Sequence, residues 1–272
     1  MNKVITIIVC ICVVFSLSGC LAGNIEQETK KSQDESKEVA GEMIQLTERQ
    51  KDILQENGLP TNPEELDWVQ LSAIVAMEEL FEYLDQKYEE EFEYAGYIAE
   101  SPLDREQLMV QVVGGTSLDI VSVYRENGVI TDDYANLLVK EPYEAAINEF
   151  FEQYEGGIES KTFSKIYGVE GDINIQNIFN ITNASSTTFI SESVMQVEEL
   201  NKISKQFSEW YTSQVDGRGI INTIIILENH DYEEINQFTR YDYDRKEIAR
   251  ARIHIDKQGE VEISVTDSKE GL

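Results

Sequence analysis

The spacing of apolar residues changes from a helical to a strand period in each half of this chain, and this change limits the fold more than any other feature. In the first half, apolar residues recur every three or four positions after Asn62-Pro63, a pair that favours a helix start. The stripe consists of Leu66, Val69, Ala73, Ala76, Met77, Leu80, Leu84 and Tyr88. It predicts a helix of about six turns beginning at Pro63.

Short β-rich segments follow this helix. They are FEYAGYIAE, LMVQVV and LDIVSVYRENG, and Ser-Pro, Gly-Gly and Asn-Gly pairs punctuate them. We expect a three-stranded antiparallel meander. Before the long helix, a capping-box pattern at 47–50 predicts a short helix over 48–57. After the meander, the pattern over 134–139 is ambiguous, and a helix is expected from 142 to 154.

The second half of the chain shows the same change of period. TFSKIYGVE and DINIQNIFNI are predicted to be strands, and a helix is predicted over about 194–214. The strongly apolar segment INTIIILEN follows and is expected at the centre of a sheet. Residues 248–256 and 260–266 alternate between apolar and polar side chains, which predicts a hairpin with one buried face.

A long helix followed by strands is typical of an α+β fold. We therefore predict amphipathic helices packed on antiparallel β-meanders, in two similar lobes over residues 46–157 and 158–272. The layout is that of cystatin-like or NTF2-like domains, an analogy of fold that implies no function. The two halves have no convincing residue-level identity, so the pattern leaves open whether they arose by duplication.

The N-terminal segment has the pattern of an export signal. Lys3 precedes an apolar run over residues 4–15, which is too short to span a bilayer as a helix. The tetrapeptide Leu17-Ser18-Gly19-Cys20 then resembles the lipobox of bacterial lipoproteins. The resemblance implies removal of residues 1–19, attachment of diacylglycerol to the Cys20 sulfur, and a membrane location on the extracytoplasmic side. The simpler alternatives are an ordinary signal peptide and an N-terminal anchor helix.

The segment after Cys20 has the composition of a tether. Residues 21–45 are rich in Glu, Lys, Gln and Ser and contain no aromatic residue, so they cannot bury enough apolar surface to offset the entropy of ordering. Residues 20–45 are therefore predicted to be the lipidated cysteine and a flexible tether. The other two cysteines, Cys10 and Cys12, lie in the segment that would be removed, which excludes a disulfide in the mature chain.

The charge balance bears on the partners of this chain. With 22 basic and 52 acidic residues, the formal net charge is −30, and removal of Lys3 with the signal makes it −31. Binding to nucleic acid requires clustered Lys and Arg, so we expect no nucleic-acid partner. We expect contact with the membrane through the lipid on Cys20, together with an unknown envelope or protein partner.

A second resemblance covers about a third of the chain. The stretch LQENGLPTNPEELDWVQLSAIVAMEELFEYLDQKYEEEFEYAGY, with NGVITDDYANLLVKEPYEAAINEF after it, is similar to uncharacterised lipoproteins of low-GC Gram-positive bacteria. The shared pattern is a YLDQKY-like helix end, then Asp-Asp-Tyr before a Glu-Pro-Tyr helix start. This resemblance implies no activity.

Catalytic and metal-binding patterns are weak. His254 is expected on a strand in an ion pair with Glu260 or Glu262, and a single loop histidine, His230, is a poor metal ligand by itself. Three pairs of Asp or Asn residues could bind a cation through their side-chain oxygens, although none has the spacing of a calcium loop. They are Asp132-Asp133, Asp172-x-Asn174 and Asp242-x-Asp244, for which a cap, a turn or a polar strand face is the simpler interpretation. We expect no metal and no cofactor.

Tyrosine is abundant, with thirteen residues. Tyr83, Tyr88, Phe92, Tyr94 and Tyr97 surround one helix-to-strand junction. Tyrosine is favoured both in strands and at binding surfaces, and the strand role is the simpler interpretation here.

Three functions remain open from the sequence. The first is a membrane-anchored, non-enzymatic binding or structural module. The alternative is a carboxylate-dependent envelope hydrolase, which would need two acids in a cleft with raised pKa values. A solute-binding lipoprotein ranks last, because such proteins alternate strands and helices around a parallel sheet.

Overall fold

The computed structural model describes residues 45–243 and 246–267. The helices are α1 (Glu48–Glu56), α2 (Trp68–Lys87), α3 (Tyr134–Gln153), α4 (Ile178–Ile181), α5 (Val197–Gln214), α6 (Asn229–Glu234) and α7 (Arg240–Tyr243). The strands are β1 (Phe92–Ile98), β2 (Glu106–Val112), β3 (Ile120–Glu126), β4 (Val129–Asp132), β5 (Ser160–Val169), β6 (Thr182–Ser191), β7 (Ile220–Leu227), β8 (Ala249–Ile255) and β9 (Val261–Asp267). The fold is α+β, as predicted.

The first sheet is an antiparallel meander in the order β1-β2-β3-β4, one strand more than expected. Helix α2 packs its fully buried Leu80 and Leu84 against Leu108 and Val123 of the sheet. Each such side chain contributes about 1.5–3 kcal/mol to folding through burial. Helix α2 begins after its N-cap Asp67, whereas Asn62 caps a separate 3₁₀ turn.

The second sheet has the order β5-β6-β7-β8-β9, and β7 lies at its centre as predicted. It is not a pure antiparallel meander, because β6 and β7 are parallel. Parallel neighbours need a long connection across one face of the sheet, and α5 supplies it between them. The two sheets therefore differ in strand number and in strand direction.

Helix α3 is shared between two hydrophobic cores. Tyr134 at its start is buried with the first sheet, whereas Val139, Tyr143 and Phe151 are buried with the second. The cores divide inside this helix, earlier than the predicted lobe boundary at 157. The helix also begins before Pro142, because the buried side chains on both sides of that proline offset its cost of about 3 kcal/mol.

Residues 172–191 differ most from the prediction. DINIQNIFNI forms a 3₁₀ turn and α4 rather than a strand, because Asn174 caps the turn and Ile178, Phe179 and Ile181 are buried at helical spacing. Strand β6, which follows, was not predicted. It is rich in Ser and Thr and resembles a loop in composition.

No helix within residues 45–243 and 246–267 is long and apolar enough to cross a membrane. The predicted signal at 1–19, the lipobox with Cys20, and the tether up to residue 44 lie outside the described residues.

Candidate functional site

Asp132 belongs to the first pair that was predicted to bind a cation, and all its acceptor positions are occupied by hydrogen bonds from the protein. The Asp132 side chain is 1% exposed, and its Oδ2 accepts hydrogen bonds from Lys87 Nζ at 2.6 Å and the Tyr83 hydroxyl at 2.8 Å. Its Oδ1 accepts from the Tyr88 hydroxyl at 2.7 Å and from the Tyr134 backbone N–H at 3.1 Å. A carboxylate has about four acceptor positions, so this group has no free position for a cation.

The electrostatics of Asp132 agree with a structural role. Burial acts to raise its pKa, but hydrogen bonds from Lys87, Tyr88 and Tyr83 outweigh burial and hold the pKa below its ordinary value. Burial, with a further contribution from Asp132, raises the pKa of Tyr88 to about 12. The tyrosines at this junction therefore tie α2 to β4, which agrees with the structural interpretation of the tyrosine cluster.

Two other acids, Asp133 and Glu144, have raised pKa values, mainly because they are buried. Asp133 Oδ1 accepts the backbone N–H of Ser122 at 2.6 Å, and Glu144 Oε1 accepts that of Ser164 at 2.6 Å. Each acid thus links α3 to a different sheet. Eleven residues of helix separate their Cα atoms by about 16 Å, far more than the spacing of a glycosidase pair. They do not form the acid pair that a hydrolase would need.

The remaining candidates do not converge on a cation. Asn174 accepts a hydrogen bond from Gln176 N at 3.0 Å as a cap, and Asp172 is exposed beside it. Asp242 is exposed on α7, and Asp244 lies outside the described residues. The exposed His230 Nε2 lies 3.5 Å from Glu234 Oε1. Among the residues that the structure describes, no group of three His, Cys, Asp or Glu could hold a metal ion.

His254 lies on a surface of a different kind from the acidic sites described above. It is exposed on β8 and lies opposite Glu262 of β9, but no ion pair joins the two side chains. The two residues are therefore neighbours across the strands, as expected. Their charged atoms do not approach within 4.0 Å, so the expected ion pair does not form. His254 belongs to a face of the second sheet that the helices leave uncovered.

We call this surface the open face. Two rows of residues cross the sheet side by side in the strand register. The first row is Lys165, Ser185, Ile221, His254 and Glu262, and the second is Phe163, Thr187, Thr223, Arg252 and Ser264. The opposite side of the sheet packs against α3 and α5. The open face is thus formed by outward-pointing side chains of five strands.

The sequence of β6 and β7 explains why only part of this side is open. On this side β6 presents Asn183, Ser185 and Thr187 before Phe189, and β7 presents Ile221 and Thr223 before Ile225. Those two apolar residues are covered by Tyr232, Ile235 and Tyr243 from the segment containing α6 and α7. The segment that covers Phe189 and Ile225 therefore sets the edge of the open face.

The charge of the open face contrasts with the rest of the molecule. Lys165, Arg252 and His254 are exposed, and none of them forms an ion pair within the described part of the chain. Glu262 is the one acid in the two rows. In the two rows, Lys165 and Arg252 carry two positive charges against the one negative charge of Glu262. On a chain with 52 acidic and 22 basic residues, a face with this local positive excess favours an anionic ligand.

Two adjoining cavities of about 420 and 300 Å³ lie on the open face and share Ile221 and His254. Tyr167 lines the larger one, is 56% exposed, and its hydroxyl lies 3.0 Å from Ser185 Oγ. This contact holds the ring beside the sheet while its surface stays accessible. The cavities have the size of small-ligand sites.

Sequence reasoning did not identify the open face. The helical stripes and the outward position of His254 were visible, but the rows combine residues from strands nearly 100 positions apart. The stretch TNASSTTFIS gave no usable signal, because Ser and Thr occupy both faces of the strand and the alternation of a half-buried strand is missing.

Comparison with known proteins gives little further information. No protein-family model and no curated protein matches this chain. A crystal structure of a DUF5037 family protein from Ruminococcus gnavus ATCC 29149 is similar at a TM-score of 0.37 and 16% identity. The match covers 66% of this chain and 91% of that protein. A likeness at this level assigns neither a family nor a function.

Proposed function

We propose that this protein is a non-enzymatic, lipid-anchored binding module on the extracytoplasmic side of the cell membrane, and that its open face holds an extended anionic ligand. The lipobox at Leu17-Ser18-Gly19-Cys20 and the polar tether after it support the anchored location. Two or three lipid chains suffice to hold a protein at a membrane.

One observation supports the binding role above all others. The open face exposes Lys165, Arg252 and His254 without ionic partners, on a chain whose net charge is −30. Charges beyond about 10 Å are screened at 0.1 M salt, so an anion at this face interacts mainly with the local cations. Elsewhere on the molecule, the acidic surface repels an anion that approaches it.

A non-enzymatic role fits the arrangement of the buried acids. Asp132, Asp133 and Glu144 hold hydroxyl, ammonium or backbone N–H groups of the protein itself. A catalytic acid must instead reach a substrate proton within hydrogen-bond distance. The carboxylates with shifted pKa values thus have structural partners.

The anchor is tested by replacement of Cys20 in the full-length protein. Cys20→Ala is expected to abolish incorporation of labelled palmitate and to release the protein from the membrane fraction. Cys12→Ala is the matched control, because Cys12 lies inside the predicted signal and its loss should leave labelling unchanged. Labelling that persists in Cys20→Ala would refute the lipid anchor.

The binding role is tested with a charge reversal on the open face. We expect the mature chain with Cys20→Ser to bind poly-glutamate better than neutral dextran at low salt. Arg252→Glu should weaken poly-glutamate binding about tenfold, equivalent to about 1.4 kcal/mol. Lys202→Glu makes the same change of charge at an exposed site outside the face and should alter affinity less than twofold. Equal losses in both variants would show that net charge alone controls binding.

A further inference from the structure

The end of the open face nearest the first lobe contains a cleft with an unusual concentration of cations. Two cavities of about 170 and 260 Å³ adjoin there. Both are lined by Ser164, Lys165, Arg240 and Tyr241, and we call the two together the Arg240 cleft. We propose that the Arg240 cleft binds a phosphate or carboxylate group of the ligand together with an apolar part next to that group. This inference deepens the proposed function and rests on it.

The side chain of Arg240 contacts aromatic residues and forms no ion pair within the described part of the chain. Its Nη2 donates to the Tyr241 hydroxyl at 2.8 Å, and its guanidinium lies 4.7 Å from the Tyr241 ring centroid and 5.7 Å from that of Phe163. Its Nε–H is enclosed and has no acceptor among the described residues. A guanidinium has five N–H donors, so most of its donors remain available to an incoming anion. Its planar fork matches the geometry of carboxylate and phosphate oxygens.

The charges around the cleft leave a local positive excess. Three cations line it, namely Lys140, Lys165 and Arg240, and no ion pair within 4.0 Å engages them inside residues 45–243 and 246–267. Asp133 is the one acid among the described residues that line the two cavities, and the charge of Glu144 interacts with Lys140 and Arg240. Both acids accept hydrogen bonds from backbone N–H groups. With both acids ionised, the cleft still has one positive charge more than it has negative charges. A single anionic group would therefore be favoured there.

The walls of the cleft indicate what adjoins the anionic group. Leu118 and Ile120 of the first lobe line the larger cavity, and they are 47% and 40% exposed. Tyr241 is 67% exposed and borders both cavities. Exposed apolar side chains around a charged centre favour a ligand with an apolar or aromatic part beside its anion. A free inorganic anion would leave these side chains in water.

The experiment compares three aromatic probes that differ in one group. Calorimetric titration of the mature chain with phenyl phosphate, benzoate and benzyl alcohol should show binding of one or both anions and at least tenfold weaker binding of the neutral alcohol. The tighter anion identifies phosphate or carboxylate as the group recognised. Inorganic phosphate and acetate should bind more weakly than the aromatic anion of the same class. Equal affinity for the alcohol would overturn the proposal.

The Arg240→Gln variant locates the site. It should weaken binding of the anionic probe at least tenfold, whereas Lys202→Gln should leave it within twofold, because Lys202 lies outside the open face and is paired with Glu155. Unfolding midpoints of both variants report whether they fold. Should Arg240→Gln fail to fold, Lys165→Gln makes the same test at an exposed position. Unchanged binding in a folded Arg240→Gln or Lys165→Gln variant would overturn the proposal.

The two proposals fail in different ways. If Arg252→Glu weakens poly-glutamate binding while Arg240→Gln leaves the aromatic anions bound, the open face is supported and the cleft is refuted. If the wild-type chain binds no poly-glutamate but binds phenyl phosphate through Arg240, the cleft is an anion site and the extended face is refuted.

Discussion

The two lobes stabilise their interiors in different ways. In the first lobe, buried acids bind donors from neighbouring elements. Asp132 is one example, and Glu106 is another, because it accepts the Tyr97 hydroxyl at 2.6 Å and lies 3.2 Å from Arg125 Nε. In the second lobe, aromatic rings fill the core, while Ser186 Oγ and both side-chain polar atoms of Asn222 are buried with no hydrogen-bond partner among the described residues. Ionic networks fix the direction in which elements pack, whereas unpaired polar atoms lower stability by about 1–3 kcal/mol each.

The strongest test of this comparison removes a ring from the second core. Phe207 is fully buried and lies 5.2 Å from the Phe150 ring and 6.0 Å from that of Phe151. Phe207→Ala should lower the free energy of unfolding by about 3–5 kcal/mol, through lost burial and a cavity. Denaturant titration measures it. Phe238→Ala, at a position 56% exposed, is the control and should cost less than about 0.5 kcal/mol. Similar effects of the two variants would contradict an aromatic core.

The second test removes the acid at the centre of the first network. Asp132→Ala leaves the Tyr83 and Tyr88 hydroxyls and the Tyr134 N–H without their acceptor, and should cost about 2–3 kcal/mol at neutral pH. Lys87 adds little to this loss, because its side chain is 45% exposed and can turn to water. Asp132→Asn keeps one acceptor oxygen and should cost less.

The pH dependence gives an independent check on this network. The pKa of Asp132 is lower in the folded protein than its ordinary value. Its contribution to stability is therefore complete above the ordinary carboxyl pKa of about 4 and is lost as the pH falls through the lowered, folded-state value. The stability difference between wild type and Asp132→Ala should shrink in that acid range. A difference that stays constant from neutral pH to acid would contradict a stabilising charge at Asp132.

The smallest expected effect has the opposite sign. Asn222→Leu removes two buried polar atoms that have no hydrogen-bond partner within residues 45–243 and 246–267, and it keeps a similar volume. It should therefore stabilise the protein by about 1 kcal/mol. The exposed Asn183 gives the matched control, and Asn183→Leu should change stability by less than about 0.5 kcal/mol. A loss of stability in Asn222→Leu would show that ordered water satisfies Asn222 in solution.

The success of the sequence predictions follows how local each signal is. Helices α2 and α5 place apolar residues on one side at short range, so they could be recognised from the sequence. Strand β6 could not be, because its inward Ser and Thr side chains are buried against other parts of the chain. Burial of that kind depends on tertiary packing rather than on local composition.

The binding surfaces were beyond prediction for the same reason. Arg240 and Lys165 are 75 positions apart in sequence, yet they line the same cavity. Whether a lysine or an arginine has an acid within reach depends on the register and packing of several strands. A sequence with 52 acids offers many possible partners, and composition alone would have predicted that each cation is neutralised.

Helix α3 makes the two lobes inseparable as modules. Its first turn belongs to one core and its remaining length to the other, and Asp133 and Glu144 fasten it to both sheets. Cutting the chain after residue 157 would deprive the second core of Tyr143 and Phe151. If recombination at that point exchanged lobes between related chains, helix α3 of one chain would have to pack into the second core of another. Its side chains would not match that core. Such lobes are constrained to change together.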